Sequence, residues 1–430
     1  MRPFNIPENL FVSALEARVP LTIAAVYAVT VKLLNKYNKA QGKKSWAISK
    51  TRLFSGFVVL HNIFLAVYSA WTFWGMVGVM NRTIASPFGP DGFAATADSL
   101  CRVHGPAGLG NSVYFNDTSA SWDSASSASA AGLLEANGLP SSTQMGRMWN
   151  EGLAYYGWIF YLSKFYEVLD TFIILAKGKY SSTLQTYHHA GAMLCMWAGI
   201  RYMSVPIWVF CTFNSFIHAL MYTYYTLSAF NVKVPMILKR SLTSMQITQF
   251  IVGASCAMVH SFITFLVPMT ASPASAETGP TLASKVGSII PAAGAVDSMK
   301  HVVFGGANGD SMPPVPSAIA SRQSVGTGAA ASSSAFLTQP CIATSSETFA
   351  IWLNVLYLAP LTYLFVSFFI SSYVKRSNAA SKLNGAPGPQ QMSDLAEKAG
   401  WEAARNVERE VYGQDGTGSP KSRSPTRRAD

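Results

Sequence analysis

Gln185-Thr186-Tyr187-His188-His189 leads straight into Ala190 to Ile200, AGAMLCMWAGI, so two adjacent imidazoles stand beside an apolar run that reads as membrane-embedded. Ionisable groups inside a span cost about 2.5 to 3.5 kcal/mol on insertion scales, which makes such a pair a functional candidate by default. Working outward, the chain of 430 residues is 50% hydrophobic and only 12% charged, with a mean hydropathy of +0.23. That balance excludes an ordinary soluble enzyme and indicates a polytopic, all-α membrane protein.

About seven candidate spans follow from the need for about 20 apolar residues to cross a core of about 30 Å. They lie near residues 17–35, 54–79, 152–176, 185–201, 205–229, 243–268 and 349–374. No cleavable signal is expected before the first of them, since Glu16 and Arg18 precede the apolar run and no small-residue cleavage site follows it. Lys32, Lys36, Lys39, Lys43, Lys44, Lys50 and Arg52 crowd the first loop and place it in the cytoplasm. Alternation then puts Lys177, Lys179, Lys233, Lys239, Arg240, Lys375 and Arg376 on the same side, the N-terminus in the lumen and the C-terminus in the cytoplasm. The formal charge of +11 is thereby explained by topology, and nucleic acid is not an expected partner.

Two insertions, 80–151 and 269–348, are rich in Ala, Ser, Gly and Pro and read as flexible lumenal loops within a membrane domain of residues 1–376; residues 377–430 read as a disordered cytoplasmic tail. Each insertion holds one cysteine, Cys101 and Cys341, and the alternatives are a disulfide or two free thiols. Asn81 and Asn116 head glycosylation sequons on that side. Cys195, Cys211 and Cys256 are isolated in apolar surroundings, and the five cysteines show no metal-ligand spacing.

The polar residues of the third to sixth spans carry the chemistry. At about 100° per residue, Lys164, Glu167 and Thr171 share a helix face with Asp170 beside it, as an ion pair of structural or catalytic use. Gln185 lies a turn before His188 and His189, whose side chains diverge, so one imidazole faces inward while a neighbour holds the other. Asn214, His218, Met221 and Tyr225 form one stripe with Tyr222 beside it, and Thr243, Gln246 and Gln249 form another. His61 and Asn62 read as a structural polar pair. A histidine in a water-poor cavity suits acyl transfer, as nucleophile or as base. A di-iron desaturase or hydroxylase would need more ligands than seven histidines supply, two of which, His104 and His301, sit in the insertions; a retinal protein would need a lysine in Phe349 to Val374; a proton-coupled transporter would show repeats or broken helices.

Four ordered motifs between Lys164 and Gln249, KFYEVLDT, QTYHH, NSFIHALMYTYY and TSMQITQ, resemble those of the ELO-type membrane fatty-acid elongases, and LHNIFL is similar to a weaker early signature. The resemblance implies condensation of a long-chain acyl-CoA with malonyl-CoA to 3-oxoacyl-CoA, CO2 and CoA in the endoplasmic reticulum membrane, with six helices ringing an acyl-CoA tunnel. Decarboxylation would supply the carbanion, so no metal or bound cofactor is expected. By the same resemblance His188 would carry the acyl group or act as base, His189, His218 and Asn214 would orient and polarise, and Lys177, Lys179, Lys233, Lys239 and Arg240 would meet the CoA phosphates. Membrane lipid and the reductases and dehydratase of the elongation cycle are the implied partners, and a homo-oligomer stays open. One departure stands out: the first histidine of the family's HxxHH box is Gln185, as in many microbial members, and an amide can orient its partners but cannot act as base.

Overall fold

In the computed structural model, residues 3–117, 119–124, 133–268 and 336–370 are described. They form a mostly helical membrane protein. After a short α1 (Glu8–Ala14) come α2 (Arg18–Ala40), α3 (Arg52–Thr83), α4 (Gly92–Cys101), α5 (Ala154–Tyr166), α6 (Val168–Ala176), α7 (Thr183–Arg201), α8 (Ile207–Ala229), α9 (Met236–His260) and α10 (Ser345–Phe369). Four of these, α2, α3, α9 and α10, are long and apolar enough to cross a membrane, with 23, 32, 24 and 25 residues in the qualifying stretches.

Capping explains several of the helix starts. Thr51 accepts from Phe54 N, Ser182 accepts from Gln185 N, and Thr344 and Glu347 form a reciprocal capping box before α10. Packing closes α7, α5, α3, α8, α9 and α10 into a ring, each touching the next, while α2 lies outside against α7 and α6. The main core is aromatic, with Tyr156, Trp158, Phe160 and Tyr161 of α5 meeting Trp197 and Ile200 of α7. One close approach fixes the loop after α6: Gly178 has φ 77°, and a Cβ there would meet Lys43 O at 2.6 Å.

Three features differ from the sequence expectation. First, the fold is not purely helical: β1 (Val113–Asn116) pairs antiparallel with β2 (Ser121–Ser124), and β3 (Thr264–Pro268) with β4 (Phe336–Pro340). Second, the sixth apolar run is not helical to residue 268; its helix ends at His260 and the remainder becomes β3. Third, the first insertion is largely folded. The buried Arg147 guanidinium donates to Asp98 Oδ2 (2.6 Å) and to the carbonyls of Asp98, Arg102, Pro106 and Gly108, so one side chain satisfies five acceptors in chain that composition alone marks as loop. The middle of the second insertion, Lys375, Arg376 and the tail lie outside the described residues.

Cys101 and Cys341 are joined as a disulfide. It ties α4 to the antiparallel pair β3 and β4, and Arg102 reinforces the joint by donating to the carbonyls of Cys341 (2.8 Å) and Pro340 (2.5 Å). The bond closes a loop of 240 residues in sequence, for which chain entropy gives about 5 kcal/mol. Cys101→Ser with Cys341→Ser is therefore expected to lower the melting temperature clearly, and an unchanged melting curve would show that the surrounding contacts hold this joint alone.

Candidate active site

The turn at Glu167, between α5 and α6, organises the polar interior. Asp170 N bonds to Glu167 O, one residue tighter than the α-helical pattern, and Ser163 Oγ donates to the Glu167 carboxylate (3.0 Å). Glu167 and Asp170 are thereby buried side by side, at 2% exposure each. Lys164 Nζ donates to Glu167 Oε1 (2.7 Å) and to Asn214 Oδ1 (3.1 Å), and Asn214 Nδ2 donates to Gln249 Oε1 (3.3 Å). This chain joins α5, α8 and α9 in one polar seam. His218 Nδ1 stands 3.5 Å from Glu167 Oε1, too poorly aligned for a hydrogen bond, and Glu167 Oε2 has no partner among the described residues.

Beside it, Asp170 is held from two sides by His61 Nε2 (2.7 Å) and the Tyr222 hydroxyl (2.5 Å). His61, which reads as structural in the sequence, thus shares a carboxylate with the motif residues. A second branch runs through Thr171, whose hydroxyl meets Tyr27 (2.9 Å) and lies 3.5 Å from the Gln185 amide. Gln185 Nε2 donates to His189 Nε2 (2.9 Å), which leaves the His189 proton on Nδ1. The glutamine therefore acts as an orienting group.

His188 is held differently. Its Nδ1 lies 3.0 Å from the Tyr357 hydroxyl of α10, and that hydroxyl donates its single proton to His188 O at 2.9 Å. The phenol oxygen then accepts from Nδ1–H, so Nε2 is left as the basic nitrogen. Phe250 and Phe365 pack against the same imidazole, with ring centroids 6.2 and 6.5 Å away. Close approach by Tyr357 needs Gly191, because a Cβ there would stand only 2.1 Å from the edge of the phenol ring. Tyr357→Phe is expected to cut turnover about tenfold or more by freeing the imidazole tautomer, with a stability change of only about 1 kcal/mol. Turnover measured beside the melting temperature checks this, and an unchanged rate would remove Tyr357 from the site.

A narrow cleft opens beside His188. Lys164, Asn214, Gln249 and Tyr357 line it with His188, and Met196, Val209 and Phe210 continue it as an apolar wall. A smaller cavity lined by Gly199, Ile207 and Ile351 shares Phe210 and Asn354 with it. His218, Glu167 and His189 are not among the residues that line the cleft: Glu167 lies behind Lys164, His218 next to Glu167, and His189 on Gln185. Gln246 Nε2 points to Met221 Sδ (3.3 Å), and Tyr225 packs on Tyr222 (6.0 Å between ring centroids). Of the expected phosphate-binding cations, Lys233 and Arg240 are exposed and Lys177 and Lys179 half-buried, while Lys239 is buried with Nζ 5.3 Å from the Tyr224 ring centre. Among the described residues no three His, Cys, Asp or Glu side chains are grouped so as to hold a metal ion.

The profile of the GNS1/SUR4 (ELO) family matches residues 13–381. The chain belongs to this family. The match extends far beyond the four motifs and takes in α2, the folded insertion and α10. The chain is 38% identical over 119 residues to very long chain fatty acid elongase 3 of Homo sapiens, covering 27% of this chain and 42% of that protein. It is 39% identical over 113 residues to very long chain fatty acid elongase 7 of Drosophila melanogaster (25% and 33%), and 33% identical over 108 residues to fatty acid elongase 2 of Trypanosoma brucei brucei (25% and 40%). Each alignment thus spans less than half the relative's length. No solved structure matches the chain.

Tyr357 and Tyr27 escape the motif reading. Each sits in a largely apolar helix, and the available signal is only that a buried tyrosine hydroxyl needs a partner.

Proposed function

We propose that this protein condenses a long-chain acyl-CoA with malonyl-CoA, the activity that the names of its relatives suggest, and that His188 carries the acyl group. The observation that supports this most is His188 itself: a half-buried imidazole with its proton held on Nδ1 by Tyr357, at the border of a largely apolar cleft. Nε2 attacks the thioester carbonyl, the C–S bond breaks, and CoA leaves as a thiolate that takes up one proton. Malonyl-CoA then loses CO2, and the resulting carbanion attacks the acyl-imidazole. A C–C bond forms, the C–N bond breaks, and 3-oxoacyl-CoA departs with the imidazole restored. Lys164 and the Asn214 amide, both at the cleft, are suited to oppose the negative charge that develops on the carbonyl oxygen.

The apolar wall of Met196, Val209 and Phe210 suits the acyl tail. Seven spans, six of them ringed around the cleft, with the N-terminus in the lumen and the CoA moiety entering from the cytoplasm near Lys177, Lys179, Lys233, Lys239 and Arg240, form the membrane arrangement of this reading. The site is placed in the endoplasmic reticulum, where reductases and a dehydratase would process the product. An acyl-CoA panel with labelled malonyl-CoA tests it: long-chain members should yield products two carbons longer. Label entering none of them, with iron in the purified protein, would favour an oxygenase instead.

A further inference from the structure

The smaller cavity continues the cleft at His188 lengthwise, and four helices show it in the same way. On α7 the cleft is lined by His188, Ala192 and Met196, one helix face, and the next turn of that face brings Gly199 to the smaller cavity. On α9 the same step runs from Gly253 to Ala257. On α8 and α10, which run the other way, it goes from Phe210 to Ile207 and from Leu358 to Ile351. The cleft and the cavity are therefore two stretches of one track, whose far end lies about 16 Å from His188 along α7 at a rise of about 1.5 Å per residue.

Every residue that lines the far stretch is buried except Phe210, and apart from Ser204 and Asn354 all of them are apolar. Such walls suit hydrocarbon and no charged group. Phe210 and Asn354 line both stretches, so these two side chains make the neck between them. Asn354 is fixed there, its Nδ2 donating to Ala350 O (3.2 Å) and Cys195 O (3.4 Å).

Phe210 is held by packing alone. It belongs to α8, yet its ring lies against Gly253 of α9, where a Cβ would stand 2.8 Å from Phe210 Cε1. The missing side chain at Gly253 is what lets an aromatic ring reach from one helix to the other at this level. The ring thus stands where the cleft meets the far stretch.

We propose that Phe210 sets the length of the acyl chain that the protein accepts: its ring ends the track short of the smaller cavity, and a smaller side chain there joins the two stretches and admits longer chains. The inference rests on the condensing reading above, in which the acyl tail lies along this wall. A methylene that gains or loses its place in an apolar pocket changes selectivity about tenfold or more, so the effect falls on the preferred length and spares short chains.

Two measurements on the full chain in detergent test it, each with saturated chains of increasing length. One reads product lengths with labelled malonyl-CoA. The other reads thermal stabilisation by thioether analogues of the acyl-CoAs, which bind but have no acyl group to transfer. In Phe210→Ala the preferred length is expected to rise in both, with kcat/KM for the first chain beyond the wild-type limit raised about tenfold or more. Phe210→Leu, a milder change to the packing, should move in the same direction. Ala257→Leu, or Ala257→Val where leucine overfills, closes the far stretch from α9. Alone it should leave the wild-type length unchanged, and added to Phe210→Ala it should restore it. The proposal is overturned by an unchanged length preference in Phe210→Ala and Phe210→Leu proteins that melt cooperatively, or by longer chains still accepted once Ala257 is enlarged, since the added length would then run elsewhere. Wild type that binds the analogues without elongating any chain would set aside the condensing reading and leave the length shift to be decided by binding. Stabilisation by none of the analogues would overturn both.

Discussion

His188→Ala is expected to lower condensing turnover by about 10³-fold or more while leaving the melting temperature nearly unchanged, because it removes the reacting atom from a cleft whose other walls stay in place. KM for the acyl-CoA should move little, since the imidazole is a small part of a largely apolar wall. Labelled malonyl-CoA incorporation by purified protein reads the effect. A rate within tenfold of wild type would move the chemistry to another group. Incubation with acyl-CoA alone separates the two roles that the sequence leaves open. A nucleophile gives a His188 peptide heavier by the acyl group, whereas a base gives no adduct although its loss is equally costly.

Lys164→Met is expected to destabilise the protein by about 3 to 5 kcal/mol, because it leaves the Glu167 carboxylate buried without its cation. The pair is almost fully enclosed, with side chains 4% and 2% exposed. Lys164→Met with Glu167→Leu should recover most of that stability, since apolar side chains of similar volume can replace a buried ion pair at little cost. It should not recover turnover, because Asn214 then loses the ammonium that fixes its amide at the cleft. Thermal melts of the three proteins decide it. A single variant as stable as wild type would mean that water reaches Glu167.

These two residues also mark what a linear reading reaches. The pairing of Lys164 with Glu167 follows from helical spacing, and it occurs at 2.7 Å. The divergence of His188 and His189 likewise follows from the helix, and the two imidazoles do find different partners, Tyr357 and Gln185. Which imidazole meets the cleft does not follow, because Tyr357 lies 169 residues away and no local pattern ties it to His188. The folded insertion hides for a related reason. Its composition is that of a loop, and a single arginine, Arg147, gathers the carbonyls that would otherwise face water.

The family, the apolar runs and the helix faces on which the acids, amides and imidazoles lie are legible in the sequence, since these depend on composition and on a fixed rotation of about 100° per residue. Tertiary structure alone brings Tyr357 to His188, joins Cys101 to Cys341 and keeps His189 and His218 out of the cleft lining. Each of these depends on atoms brought within about 3 to 4 Å from distant parts of the chain, a distance at which hydrogen bonding acts and which no sequence interval encodes.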